Sequence, residues 1–171
     1  LERETALARP AAIGFGTPGS CDPRTGLMRN CNTVCLNGSL LRERLTEAIG
    51  AEAVVTNDAN CFALAEATLG CAKDARCVFG VIMGTGVGGG VVLDRQLWEG
   101  ANGIAGEWGH IVIDAEGEPC YCGRRGCVET VLSGPALENR YERLVGERLA
   151  LAEILRRHRT GGNAHATTVV N

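Results

Sequence analysis

The sequence predicts an α/β chain built as two small lobes. Three stretches predict it. Residues 11–16, AAIGFG, read as a short buried strand that stops at Thr17-Pro18-Gly19. AVVT at 53–56 is a second strand that leads through Asn57-Asp58-Ala59-Asn60 into the helix CFALAEATL. VFGVIM at 78–83 is a third, followed by the glycine-rich GTGVGGG and a returning strand. Strands that end this way leave small residues and bare backbone at their carboxyl ends, where open α/β sheets hold ligands. A plain turn after the first strand is the alternative at that point.

Taken in order, LERETALA at the start is helix-like and leads into the first strand. DPRTG then marks a tight turn, and Asn30, Asn32 and Asn37 supply neutral groups suited to sugar hydroxyls or to turn chemistry. Leu40, Leu41, Leu45 and Ile49 have helical spacing, with Ser39 as the expected N-cap and Gly50 as the end. Asp58 falls at a strand-to-helix junction. A carboxylate there caps a helix or projects into a cleft. The small, charged segment 71–76 is a connection, and the lobe boundary is placed at Lys73-Asp74, giving lobes 1–74 and 75–171.

The string GTGVGGG satisfies G-x-G-x-x-G by letter, but that motif must open a helix, and here Gly90 to Leu93 reads as a strand. A strand-loop-strand clamp around a phosphate fits better, with a ligand-free glycine hairpin as the alternative. DRQ is a turn and Leu97 to Glu99 a further strand. After a loop at 101–106 and the segment that follows, Ser133-Gly134-Pro135 starts a helix over 136–144, and 149–157 is another with a solvated charged face. His158 and His165 receive no role.

The segment EWGHIVIDAEGEPCYCGRRGCVE, Glu107 to Glu129, is the most informative stretch. His110, Cys120, Cys122 and Cys127 form a four-ligand set within eighteen residues, suited to tetrahedral Zn²⁺ rather than a hard cation. Cys120 and Cys122 are too close to pair easily with each other. Scattered buried or disulfide-linked cysteines are the alternative. Glu107 and Glu129 bracket the set, either as solvated charges or as side chains whose direction the metal would fix.

Composition sets the class. The chain has 171 residues, 45% of them apolar and 22% charged, with a net charge of −3. That describes a globular protein without a basic patch for nucleic acid or a polybasic run for membranes. No apolar stretch reaches spanning length and no signal segment is evident. The six cysteines outside the zinc set lack a disulfide-like pattern and fit a reducing cytosol. A start at Leu1 and an end in TTVVN with no closing element predict a piece of a longer protein, incomplete at both ends.

TPGSCDPRTG, NDANCFALAE, GTGVGGGV, GEWGH and CYCGRRGCVET, in this order, resemble the ROK family of repressors, open reading frames and sugar kinases. The match covers about Ile13 to Gly134 and is most similar to fructokinase-type and N-acetylhexosamine-kinase-type members. The resemblance implies an actin-like ATPase (ribonuclease H-like) fold of two lobes with a structural zinc loop. It implies an ATP-dependent hexose kinase with Mg²⁺ carried by the nucleotide, cytoplasmic and homodimeric when full length. Asp58 would be the general base. Gly19, Asn57, Asp58, Glu107, His110 and Glu129 would bind the sugar, and Gly84, Thr85 and Gly86 the ATP phosphates. His110 would serve both zinc and sugar. The loop from Cys21 to Gly38 would read the sugar's distinguishing groups. The family's first phosphate loop, Asp-x-Gly-x-Thr, and its later adenosine-flanking glycine pair are absent, so the 171 residues alone are expected to have little or no kinase activity. A sugar-responsive repressor of the same family, with an added helix-turn-helix, is the rival expectation.

Overall fold

The computed structural model describes residues 10–171, and the helix-like segment expected at 1–8 lies outside the described residues. The chain divides into two compact units. The first holds the residues up to Gly80 together with Gly90–Gly106, and the second holds Val81–Gly89 and Glu107–Asn171. The division passes through a hairpin a few residues beyond the lobe boundary expected at 74/75.

In the first unit, strand β1 (Ala12–Thr17) pairs in parallel with β4 (Glu52–Asn57), in register from Ala12↔Glu52 to Thr17↔Asn57. Between them, β2 (Ser20–Cys21) and β3 (Met28–Arg29) form a small antiparallel hairpin. DPRTG is its turn, as expected, with Asp22 Oδ1 accepting from the N–H groups of Arg24 and Thr25 at 2.8 and 3.2 Å. Helix α1 (Leu41–Ile49) follows and ends at Gly50, whose φ of 60° is left-handed. Ser39 does not cap it. Its hydroxyl donates to Leu36 O at 2.6 Å, closing the preceding 3-10 turn, and Leu40 stands at the N-cap without a side-chain bond. Met28, Cys31 and Val55 bury together under Phe15, Leu36, Leu41 and Leu45.

Helix α2 (Asp58–Thr68) begins three residues before the expected CFALAEATL because Asn57 caps it. Its buried face is Ala59, Asn60, Ala63 and Ala67. Side chains this small let sheet backbone come close. A Cβ on Gly90 would lie 2.7 Å from Asn60 Oδ1 and 2.9 Å from Ala63 Cβ, so only glycine fits there. Val92, Val78 and Leu97 complete this core around Ala63 and Ala67.

A three-stranded sheet has the order β5 (Cys77–Met83), β6 (Val87–Leu93), β7 (Gln96–Leu97). The returning strand starts at Val87 rather than Gly90, so four residues of the glycine string are strand and the loop shrinks to Gly84-Thr85-Gly86. The strand expected at 97–99 is Gln96–Leu97, reached through Asp94 and Arg95 at φ 48° and 65°.

In the second unit, the segment after a 3-10 turn at Trp108–His110 is irregular, tied by bridges Val112↔Cys127 and Pro119↔Arg125. Four helices follow: α3 (Glu129–Leu132), α4 (Gly134–Val145), α5 (Leu151–Arg159) and α6 (Ala164–Val170). Ser133 caps α4 as expected, its hydroxyl accepting from Ala136 N–H at 3.2 Å. Residues 164–170, to which no element was assigned from the sequence, form α6, which Asn163 caps at 2.8 Å. Ala166 and Val169 of that helix bury against Tyr141 and Ile154. The Tyr141 hydroxyl accepts from Arg157 and Asn163 at 3.1 and 3.2 Å, so the buried phenol keeps its hydrogen bonds. Among the described residues, no helix is long and apolar enough to cross a membrane.

Candidate functional site

The expected site residues fall into two groups, one in each unit. In the first unit, the parallel register sets Thr17 level with Asn57, so the Pro18-Gly19 turn and the start of α2 lie at the same strand ends. Asn57 joins them. Its Nδ2 donates to Gly19 O at 2.9 Å, and its Oδ1 accepts from Ala59 N–H at 2.9 Å and Asn60 N–H at 3.4 Å. The N-cap position is therefore held by Asn57. Asp58 is exposed in the first turn of α2, with Oδ1 accepting from Ala59 N–H at 2.9 Å. A carboxylate there is favoured by the positive end of the helix. Such an acidic group, with the capping duty largely carried by its neighbour, can accept a proton from an approaching hydroxyl. Of the asparagines suited to sugars, Asn37 is committed to the backbone of Cys31, which it grips at both N–H and carbonyl, 2.9 and 3.1 Å.

The second unit brings the glycine turn against the cysteine segment. Gly84 N–H donates to Gly86 O at 2.9 Å, and Gly84 O accepts from Gly134 N–H at 2.8 Å. Gly84 and Thr85 are exposed. Glu129 Oε2 accepts from Val87 N–H at 2.9 Å, and a Cβ on Gly86 would come within 2.7 Å of that same oxygen. Trp108 Nε1 donates to Gly88 O at 2.7 Å and fixes the 3-10 turn that carries His110. Glu107 is exposed at the start of that turn. A groove of about 360 Å³ in this unit is lined in part by Thr85, Cys120, Tyr121, Glu129 and Ser133.

His110, Cys120, Cys122 and Cys127 converge as their spacing predicts, each offering one ligand atom, all within 4.8 Å of one another. His110 Nδ1 is 3.5 Å from Cys120 Sγ, and Cys122 Sγ is 3.6 Å from Cys127 Sγ. Tetrahedral zinc with bonds of about 2.3 Å to sulfur has ligand–ligand edges of about 3.8 Å, so these separations fit the ion. Burial and the neighbouring Cys122 and Cys120 sulfurs push the Cys127 thiol up to about 12. The Arg124 backbone N–H lowers that of Cys122. Thiolates crowded this closely repel one another unless a cation is shared between them.

Tyr121, between the two cysteines of Cys-x-Cys, was not foreseen. Its hydroxyl meets His110 Nε2 at 3.0 Å, and the two rings stand edge to face at 88° with centroids 5.1 Å apart. Desolvation and then the charge of the Glu129 carboxylate push the phenol up to about 12. The signal was its place between two ligands on one short turn.

Comparison with known proteins identifies the architecture. An N-acetyl-D-glucosamine kinase from Photobacterium profundum is 40% identical over 159 residues, 87% of this chain and 52% of that protein. A ROK hexokinase from Thermus thermophilus superposes with a TM-score of 0.83 at 36% identity, over 99% of this chain and 55% of the hexokinase. A ROK family transcriptional regulator, a homologue of the E. coli MLC protein, gives 0.80 at 29% identity over 96% and 44%. The chain thus spans about half the length of the curated relatives it matches. It has the α/β fold of ROK sugar kinases, an actin-like ATPase fold. The ROK family model matches residues 2–171, and the chain belongs to that family.

Proposed function

We propose that this chain carries the sugar-handling residues and one phosphate loop of an ATP-dependent hexose kinase. The observation that carries the reading is the strand end at Asn57-Asp58, where Asn57 caps α2 and leaves an exposed carboxylate at Asp58. Kinase relatives at 34–40% identity support it. In the reaction, a sugar hydroxyl forms a new O–P bond to the γ-phosphoryl group, the bond to ADP breaks, and Asp58 accepts the hydroxyl proton. Gly19, Asn57, Glu107, His110 and Glu129 would hold the other sugar hydroxyls. Gly84, Thr85 and Gly86 would contact the phosphates of the magnesium nucleotide. Zinc on His110, Cys120, Cys122 and Cys127 would hold the second unit's irregular segment in shape.

N-acetyl-D-glucosamine is the first sugar to test, because it is named in the curated relatives. The same proposal includes lobes 1–74 and 75–171, a homodimer, a reducing cytosol in keeping with nine free cysteines, and little turnover by these 171 residues alone. ADP release by the full-length protein against a panel of hexoses is the test, and turnover of one hexose is the expected result. Sugar binding without turnover by that protein would favour the second reading, a sugar-responsive repressor, for which the regulator at TM-score 0.80 speaks.

A further inference from the structure

We propose that Arg124, in the turn between Cys122 and Cys127, is the positioning residue of the metal set: it holds His110 and Cys120 in place and offsets the charge that three thiolates bring. The proposal rests on the zinc reading of His110, Cys120, Cys122 and Cys127 given above. Arg124 touches two of these ligand residues through separate groups. Its carbonyl accepts from Cys120 N–H at 2.8 Å, and its Nη1 donates to His110 O at 3.1 Å.

The two ligands it holds come from different places in the chain. Cys120 opens the tight turn that Gly123 closes, its carbonyl accepting from Gly123 N–H at 3.0 Å. His110 ends the 3-10 turn at Trp108–His110, fourteen residues before Arg124. The Arg124 side chain spans from the one turn to the other. The two ligand atoms it aligns, His110 Nδ1 and Cys120 Sγ, are 3.5 Å apart.

Charge gives the guanidinium a second task. Zn²⁺ with three thiolates and a neutral imidazole carries one net negative charge, which a nearby cation offsets. The carbonyl that Arg124 bonds makes this local. His110 O also lies 3.7 Å from Cys127 Sγ, within reach of an S–H donor. A metal-bound cysteine has no such proton, so sulfur and carbonyl oxygen then face each other as two acceptors. Arg124 Nη1 on that same oxygen draws its negative charge away from the sulfur. The bond therefore favours the metal-bound form over the free one. Glu118, two residues before Cys120, is paired with Arg143 rather than with Arg124.

Arg124 is exposed, so replacing it removes these side-chain effects without opening the core. The test is the zinc dissociation constant of the full-length protein, by competition with a chromogenic chelator at about 0.05 and 0.5 M salt. Wild type is compared with Arg124→Gln, Arg124→Lys and Arg125→Gln. Arg124→Gln is expected to bind zinc about tenfold more weakly at low salt, as loss of an outer partner of a metal ligand does. Arg124→Lys is expected to recover most of that loss. Arg125→Gln removes the same charge one residue on and is expected to stay within about twofold of wild type. The deficit of Arg124→Gln is expected to narrow at high salt, because a charge effect is screened and a purely steric one is not. Zinc affinity of Arg124→Gln equal to wild type overturns the proposal, and so does an equal loss in Arg125→Gln. A deficit that Arg124→Lys does not reduce, or that salt leaves unchanged, makes Arg124 a turn residue only and also overturns it. No zinc binding by wild type removes the zinc reading and this proposal together.

Discussion

Glu129 Oε2 accepts the backbone N–H of Val87 at 2.9 Å, joining the residue just beyond the last cysteine of the cluster to the first residue after the glycine turn. These positions are 42 residues apart in sequence. The bond makes one carboxylate responsible both for the shape of Gly84-Thr85-Gly86 and, in the proposed function, for a sugar hydroxyl. A Cβ on Gly86 would press against that carboxylate oxygen at 2.7 Å.

Replacing Glu129 by Ala leaves the Val87 N–H without its partner and is expected to destabilise the second unit by about 1.5–3 kcal/mol, the worth of a hydrogen bond to a charged group. Glu129→Gln keeps an acceptor oxygen and is expected to recover about half of that loss. Chemical denaturation of the three proteins measures it.

The cysteine cluster is expected to hold one zinc ion per chain, as a four-donor tetrahedral set does. Cys127→Ser, which changes a fully buried ligand, is expected to lose the metal and lower the melting temperature. Metal analysis with a chelator titration reads this directly. Retention of stoichiometric zinc by that variant would remove Cys127 from the set.

Gly90→Ala introduces a methyl group 2.7 Å from Asn60 Oδ1 and 2.9 Å from Ala63 Cβ. Overpacking of this kind is expected to cost about 1–3 kcal/mol, measured as a lowered denaturation midpoint. The open strand position Gly14, with nothing within 4 Å of its added Cβ, is the control.

Glu153 on α5 is paired with Arg156 and Arg157, and their hydrogen bonds hold its carboxyl down at about 2 against an ordinary value of 4.5. The folded state thus binds this proton more weakly than the unfolded chain. The pair's contribution to stability is present in full above about pH 4.5 and is lost as pH falls through about 2. Glu153→Gln is expected to be less stable than wild type at pH 7, with the difference shrinking toward pH 2, in thermal melts across that range. The size is small because the group is only partly shielded from solvent and Arg156 is exposed.

Much of this was legible in the sequence because it depends on local spacing. The strand ending at Asn57-Asp58, the caps at Ser133 and Gly50 and the convergence of His110 with three cysteines all follow from patterns a few residues wide. The start of β6 was hidden because Gly88, Gly89 and Gly90 carry no side chains to show a strand's alternation. Helix α6 was hidden because AHATTVV is rich in β-branched residues, and its helix is set by the Asn163 cap and by burial of Ala166 and Val169. The tie between Glu129 and Val87 is a tertiary fact that no local pattern encodes.

Asp58→Asn in the full-length protein is the most direct test of the kinase account. The amide keeps the size of the carboxylate but cannot take a proton. The account predicts that turnover with the preferred hexose falls about 10²- to 10⁴-fold, while zinc content stays near wild type. Turnover within about twofold of wild type, a change too small for a lost general base, would contradict it.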